Sequence, residues 1–340
     1  SPVPPGSVSP VRLGQVYLTS YLAPLSAALA RPDVTDIYVN RPHEIWLETL
    51  GGGSERIEAP ELGPVALERL ARQVAALSHQ GVSREHPLLS AALPDGSRIQ
   101  VVMPPATRGD LALAIRKHVV QNLTLADYVG AGAFRQTRTA TDASGDRNSE
   151  LQALLARGDI AGLLSQAVRQ RRNILVSGGT STGKTTFLNA LLREIPADER
   201  LILIEDTPEL SLTHANAIGL LAARSELGEA QVTANDLVAA SLRLRPDRII
   251  LGELRGSEAF AFLRAVNTGH PGSMTTVHAD SPQGAIDQIT LLALQTGTQL
   301  GRADIQHYVR STVDVYVQLS REKGRRFVSA VALNGTEDQL

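Results

Sequence analysis

Apolar residues recur through positions 64–80 at a spacing that a helix gathers onto one face: Val65, Leu67, Leu70, Val74, Ala75 and Leu77 fall together, while Arg69, Arg72 and Gln73 fall elsewhere. That spacing predicts an amphipathic helix. Around it, short aliphatic and β-branched runs predict strands at 36–40, 45–49, 98–103 and 111–115, with Pro94-Asp95-Gly96 turning the chain before the third. These elements read as an α+β domain over residues 1–130. Residues 131–149 change to Thr, Ser, Gly, Asp and Arg, with almost no large apolar residue after Phe134, the composition of a flexible linker. Residues 150–340 read differently again. Helices at 149–156 and 160–170 lead to a strand at 173–177. Strand-like runs at 201–204, 248–251 and 274–277 then alternate with helical ones at 185–194, 235–244, 258–267 and 282–294. Alternation of this kind predicts a mostly parallel sheet covered by helices, with any ligand at the carboxyl ends of its strands. Runs at 313–319 and 327–333, separated by Lys323-Gly324, predict a closing hairpin.

Composition narrows the classes further. The 340 residues, 43% of them apolar, can bury a sizeable core and suggest about two domains. No apolar run approaches the ~18 residues of a membrane span, and the Pro- and Ser-rich stretch 1–10 lacks the charged and apolar regions of a signal peptide. A soluble intracellular protein is the expectation. A formal net charge of −2 leaves no electrostatic footprint for nucleic acid, so direct nucleic-acid binding stays open. With no cysteine the chain can form neither disulfides nor thiolate metal sites.

The chemistry concentrates in residues 178–185, Gly-Gly-Thr-Ser-Thr-Gly-Lys-Thr, a G-x-x-x-x-G-K-[ST] phosphate loop between a predicted strand and a predicted helix. A triphosphate needs close backbone N–H groups, a nearby positive charge and a hydroxyl for magnesium. Gly178, Gly179 and Gly183 permit the approach, Thr180, Ser181, Thr182 and Thr186 complete the cradle, Lys184 carries the charge and Thr185 can ligate Mg²⁺. ATP and Mg²⁺ are the expected ligands. The run Ile249-Ile250-Leu251-Gly252-Glu253 delivers a carboxylate to a strand end, so Glu253 is the candidate base or water-orienting group, with capping of the next helix as its structural alternative. Gly252 stands where many phosphate-loop proteins place a metal-holding Asp. Glu205-Asp206-Thr207-Pro208-Glu209 crowds three carboxylates after an apolar run, and a cation such as magnesium would relieve their repulsion; Glu205 is the one expected to point into the site. The alternative is an acidic loop facing water. His270 and His278 bracket a short strand, each able to meet a phosphate or to serve as a structural hydrogen-bonding residue.

These motifs together resemble the secretion ATPases that power type II and type IV secretion and pilus machines. The phosphate loop, the carboxylate cluster at 205–209, Gly252-Glu253-Leu254-Arg255 and the stretch 269–278 resemble that family's Walker A, Asp box, Walker B and His box in order. Compact length and the run 177–188 are most similar to the hub ATPase of bacterial type IV secretion systems. Pilus and type II relatives commonly carry a four-cysteine metal site, which this chain cannot build. The resemblance implies a RecA-like carboxy-terminal domain, a separate α+β amino-terminal domain joined by a flexible linker, and a homohexameric ring. It also implies Glu253, Lys184, Glu205 and His278 as catalytic residues, Thr185 and Glu205 at the metal, and Arg98 and Arg116 at the phosphates. Arg243, Arg245 and Arg255 are further candidates for a site contact, a finger between subunits or plain salt bridges. The implied work is ATP hydrolysis driving pilus biogenesis and substrate translocation; a pilus or type II motor, or a nucleotide-gated docking hub, is the alternative. Implied partners are inner-membrane channel components and coupling or assembly ATPases, at a cytoplasmic location peripheral to the inner membrane. One departure is Ser181-Thr182 where the family often has Gly-Ser, which requires residue 181 to adopt a backbone conformation that serine tolerates.

Overall fold

The computed structural model describes residues 10–118, 122–138, 148–223 and 228–334; the Pro-rich stretch 1–9 and linker positions 139–147 lie outside the described residues. Two compact units form, each assembled from two stretches of chain: Ser1–His118 with Ala197–His270, and Val119–Pro196 with Pro271–Leu340.

The first unit opens with α1 (Pro10–Leu22) and the short α2 (Ser26–Ala30), then β1 (Val34–Val39), β2 (Glu44–Thr49), β3 (Ser54–Glu58), α3 (Pro64–Leu77), β4 (Leu88–Ala92), β5 (Arg98–Val102) and β6 (Ala112–Arg116). The six strands form an antiparallel sheet in the order β3-β2-β1-β6-β5-β4. The predicted amphipathic helix is α3: Leu67, Leu70 and Val74 are buried in one cluster with Ile37, Leu47, Leu89, Val101 and Leu113 from the sheet. Pro64 at its first turn needs no N–H partner, which is why the helix starts there. The turn at Pro94-Asp95-Gly96 forms as predicted, with the Ser97 amide donating to Asp95 Oδ1 at 2.8 Å and Gly96 at φ +87°. The edge strand β3 has no counterpart in the sequence reading because all five of its residues are exposed. Without a buried face there is no alternation to read.

The chain continues into the second unit through α4 (Leu125–Gly130), α5 (Ser149–Ala156), α6 (Ile160–Arg169), β7 (Ile174–Gly178) and α7 (Lys184–Leu192). It then returns to the first unit as β8 (Leu201–Glu205), β9 (Ala217–Leu221), α8 (Ala234–Ser241), β10 (Arg248–Leu254) and α9 (Glu258–Asn267). There β8 runs parallel to both β10 and β9. The two stretches of this unit are fastened by Arg200, which is 2% exposed and lies 3.9 Å from the ring centre of Tyr38. Its Nη1 donates to Asn40 and Asn216 and its Nε to the Leu244 carbonyl. Burial pulls its pKa down to about 10. A buried guanidinium is tolerated here because hydrogen bonds and an aromatic face replace lost water.

The second unit is completed by β11 (Met274–His278), α10 (Pro282–Leu294), α11 (Arg302–Thr312), β12 (Val315–Glu322) and β13 (Arg325–Leu333). Its strands lie in the order β13-β12-β7-β11, with β7 parallel to both neighbours and β12 and β13 forming the predicted hairpin. All five residues of β7 are buried, as a central parallel strand requires. No helix among the described residues is long and apolar enough to cross a membrane.

Candidate functional site

In the second unit, β7 ends at Gly178 and the chain loops over into α7, and Gly183, which precedes that helix at the cap position, makes no side-chain cap. Helix amides left without a cap form an anion site, and their dipole favours negative charge. Ser181 takes a left-handed φ of +61° and Gly183 one of +87°. The loop therefore holds a serine where backbone sterics favour glycine, the conformation that the Ser181-Thr182 departure demanded. Thr182 Oγ1 donates to the Gly179 carbonyl at 2.8 Å, stiffening the loop from inside. Lys184 curls back over it, its Nζ donating to the carbonyls of Gly178 at 3.0 Å and Gly179 at 3.2 Å. Thr185 sits half-buried in the first helical turn, while Thr180 and Thr186 are exposed.

Two strands brace this loop. His278, exposed at the end of β11, is the register partner of Gly178, so the structure brings the predicted histidine beside the phosphate loop. Leu319 of β12 is the register partner of Gly178 on the other side. Buried Gln318 ties the three strand ends together, bonding Ser177 Oγ at 2.5 Å and donating to the Ala279 carbonyl at 3.1 Å. Asn173 fixes the opposite end of β7: its amide donates to Asp314 Oδ2, its Nδ2 to the Thr312 carbonyl, and its Oδ1 accepts from the Gly272 amide, each at 2.8 Å.

The predicted carboxylates stand in the first unit. Glu253, at the end of β10, is paired with Arg255 Nε through Oε2, while Arg255 Nη1 reaches Asp206 at 3.2 Å. The Glu253 carboxylate beside it raises the Arg255 guanidinium above its usual range. Glu253 Oε1 accepts no hydrogen bond among the described residues, which leaves it open to water. Capping falls to another residue: Glu258 Oε1 accepts from the amides of Arg255 at 2.7 Å and Gly256 at 2.9 Å. Glu205 is buried and fully engaged, Oε2 by Arg108 Nη2 and Oε1 by the amides of Glu209 at 3.1 Å and Leu210 at 2.9 Å. Arg108 is the cation that this crowded acidic turn required, and Gly219 of β9 makes room for it: a Cβ there would stand 2.6 Å from Arg108 Cδ.

Arg98 and Arg116 are register partners on β5 and β6, and both line a shallow cleft with Asp36, Gln100, Arg243 and Arg245. Arg116 Nε lies 3.6 Å from Asp36 Oδ1; the Arg98 guanidinium has no partner among the described residues. Like charges facing each other across strands repel unless an anion joins them. His270 is half-buried with Nδ1 3.2 Å from the Pro246 carbonyl, a structural contact.

Residues 20–326 match the family of type II/IV secretion system proteins. The type IV secretion system protein VirB11 of Bartonella quintana is 38% identical over 324 residues, covering 91% of each chain. VirB11 of Brucella suis is 39% identical over 305 residues, 88% of this chain and 84% of that one. The crystal structure of Brucella suis VirB11 in complex with sulphate superposes with a TM-score of 0.89 at 37% identity, covering 95% of this chain and 96% of that chain. This chain belongs to the type II/IV secretion system protein family. Its α/β fold class, a RecA-like phosphate-loop domain with a separate α+β amino-terminal domain, follows from the same match.

Within this secretion ATPase family member, sequence reasoning missed Arg108, Gln318 and Arg326. Arg326 of β13 lies over the phosphate loop: a Cβ on Gly183 would meet its Cδ at 3.3 Å. Arginines are common enough that only an unanswered charge marks one. Such a signal existed at 205–209, where three carboxylates called for a cation without naming it. Among the described residues no group of three or more His, Asp or Glu is arranged to hold a metal ion.

Proposed function

We propose that this protein is a homohexameric ATPase that hydrolyses Mg·ATP to power pilus biogenesis and substrate translocation in a type IV secretion system. The observation that carries the reading is the loop at 178–185: an uncapped helix start, a glycine-supported turn and Lys184 bonded over it. Likeness to VirB11 over nine-tenths of both chains supports the secretion context.

The residues fit a magnesium ion held in the manner of phosphate-loop enzymes. One hydroxyl at the helix start, Thr185, makes no protein hydrogen bond among the described residues and would hold the ion together with phosphate oxygens and water. The ion, when bound, would neutralise charge building between the β and γ phosphates. Lys184 would exchange its carbonyl partners for phosphate oxygens. Amides of Gly179 to Thr186 would hold the chain of phosphates, and Glu253 would orient the attacking water through its open oxygen. His278 would report on the γ-phosphate; Arg98 and Arg116 would bind anionic charge in their cleft. Glu205 would support site polarity while joined to Arg108, and would ligate metal only after releasing that arginine. Its partners would be inner-membrane channel components and companion ATPases, met from the cytoplasmic side at the membrane surface.

Phosphate release from wild type, Lys184→Ala and Glu253→Gln tests the hydrolytic reading, with light scattering reporting assembly. Lys184→Ala should lose nucleotide binding. Glu253→Gln should bind ATP yet turn over about 10²-fold or more slowly, the scale of a lost general base. Unchanged turnover in Glu253→Gln would remove that residue from its role, and a monomer in the presence of ATP would remove the ring.

A further inference from the structure

The hairpin of β12 and β13 carries a charge pattern that its own packing leaves unexplained. Its tip reads Arg321-Glu322-Lys323-Gly324-Arg325-Arg326, with Glu322 opposite Arg325 and Arg321 opposite Arg326. Successive strand residues point to opposite faces. One face thus pairs opposite charges and the other sets two arginines side by side, an arrangement that costs stability in a sheet unless an anion intervenes. Arg325 also has an aromatic neighbour, its guanidinium 5.5 Å from the Phe327 ring centre. Arg326 has neither. Its guanidinium has no hydrogen-bond or ionic partner among the described residues. Its stem and guanidinium lie against the phosphate loop, with Cδ 3.3 Å and Nη1 3.6 Å from where a Gly183 Cβ would be.

We infer that Arg326 is a further nucleotide-binding residue, which reaches the α-phosphate from the β12–β13 flank of the loop. This rests on the nucleotide reading of residues 178–185. The assignment to one end of the phosphate chain comes from strand order. β7 is flanked by β11, which ends at His278 beside Gly178, and on its other edge by β12, whose Leu319 faces Gly178. A γ-phosphate near His278 puts the α-phosphate toward the hairpin. There Arg326 would add a planar, multiply donating cation to the cradle over which Lys184 lies. The glycine at 183 then has a second purpose, since a side chain would push against the arginine that covers it.

Equilibrium titration of the full chain with fluorescent ADP and with a non-hydrolysable ATP analogue tests this. The variants are Arg326→Ala, Arg326→Lys, Arg325→Ala as the neighbouring control, and Lys184→Ala. Arg326→Ala should weaken both nucleotides about tenfold and by the same factor, the scale of one charge-assisted contact. Arg326→Lys should recover part of that, and Arg325→Ala should match wild type. Thermal unfolding without nucleotide should show no loss of stability in Arg326→Ala, because the variant relieves the repulsion between Arg321 and Arg326. Wild-type affinity for ADP in Arg326→Ala overturns the inference, as does weakening of the ATP analogue alone, which would put the arginine at the γ-phosphate. Equal weakening in Arg325→Ala would reduce the effect to general charge and overturn it too. Failure of wild type to bind either nucleotide would instead sink the ATPase reading, whereas wild-type binding lost in Lys184→Ala and kept in Arg326→Ala would spare that reading and reject only the arginine.

Discussion

A Cβ on Gly252 would stand 3.0 Å from Cγ of Glu205, closer than nearly all real contacts of that kind. Glycine occupies this strand position because the neighbouring carboxylate stem does. An aspartate at 252 would therefore displace Glu205 from Arg108 rather than add a metal ligand. Gly252→Asp should destabilise the protein by about 1–3 kcal/mol, as overpacking beside a buried charge does, measured by urea unfolding. Stability equal to wild type would show that the site relaxes around it.

Arg108 and Glu205 form an ion pair whose carboxylate is buried and whose guanidinium is partly so, with its members 97 residues apart. Removing the cation alone leaves an uncompensated carboxylate, so Arg108→Ala should cost about 3–5 kcal/mol. Adding Glu205→Gln to that variant should recover a large part of the loss. A double-mutant cycle by chemical denaturation should give a coupling of about 1–3 kcal/mol, and additive effects would mean that each residue is held by other contacts.

The left-handed turn at 181–183 separates two kinds of strain. Ser181→Gly relieves a conformation unfavourable to side chains at φ +61° and should raise stability by up to about 1 kcal/mol without loss of nucleotide affinity. Gly183→Ala adds the same strain and a contact with Arg326, and should lower both stability and affinity. Isothermal titration alongside thermal melts reads the two quantities separately. Loss of affinity in Ser181→Gly would mean that the serine side chain itself meets the ligand.

His270 gives the fold a pH dependence of known sign. Burial lowers its imidazole pKa below the ordinary value of 6.5, and Arg245 adds to this against the Pro246 carbonyl. The unfolded chain therefore binds a proton that the folded chain refuses. Stability should fall as pH drops from about 6.5 toward the folded-state pKa, with a slope of at most ~1.4 kcal/mol per pH unit. His270→Gln should flatten the stability profile in that window; an unchanged profile would assign the dependence elsewhere.

Most of what the sequence made legible was local. The phosphate loop, the α3 stripe and the β12–β13 hairpin each announce themselves within a score of residues, because glycine spacing, helical periodicity and turn chemistry act over that range. Arg108 did not, since its meaning depends on Gly219 and Glu205, both far along the chain. Gln318 looked like an ordinary polar residue in a strand until β12 lay beside β7. Glu253 was read with two roles open, and the competing one turned out to belong to Glu258, whose carboxylate takes the amides of Arg255 and Gly256. Pattern located the acidic turn; only pairing across the fold identified what neutralises it.

The strand that ends in the phosphate loop is made early in synthesis and completed late. β7 has left the ribosome well before either of its sheet neighbours, β11 and β12, has been translated. For that interval a strand built to be wholly buried has no partner on either edge, and the loop beyond it has nothing to lean on. A nascent chain thus cannot brace its phosphate loop until β11 and β12 are made, and it depends meanwhile on staying unaggregated. Truncation before residue 315 removes β12 and β13 and should yield a chain that is captured by chaperones rather than a smaller nucleotide-binding protein.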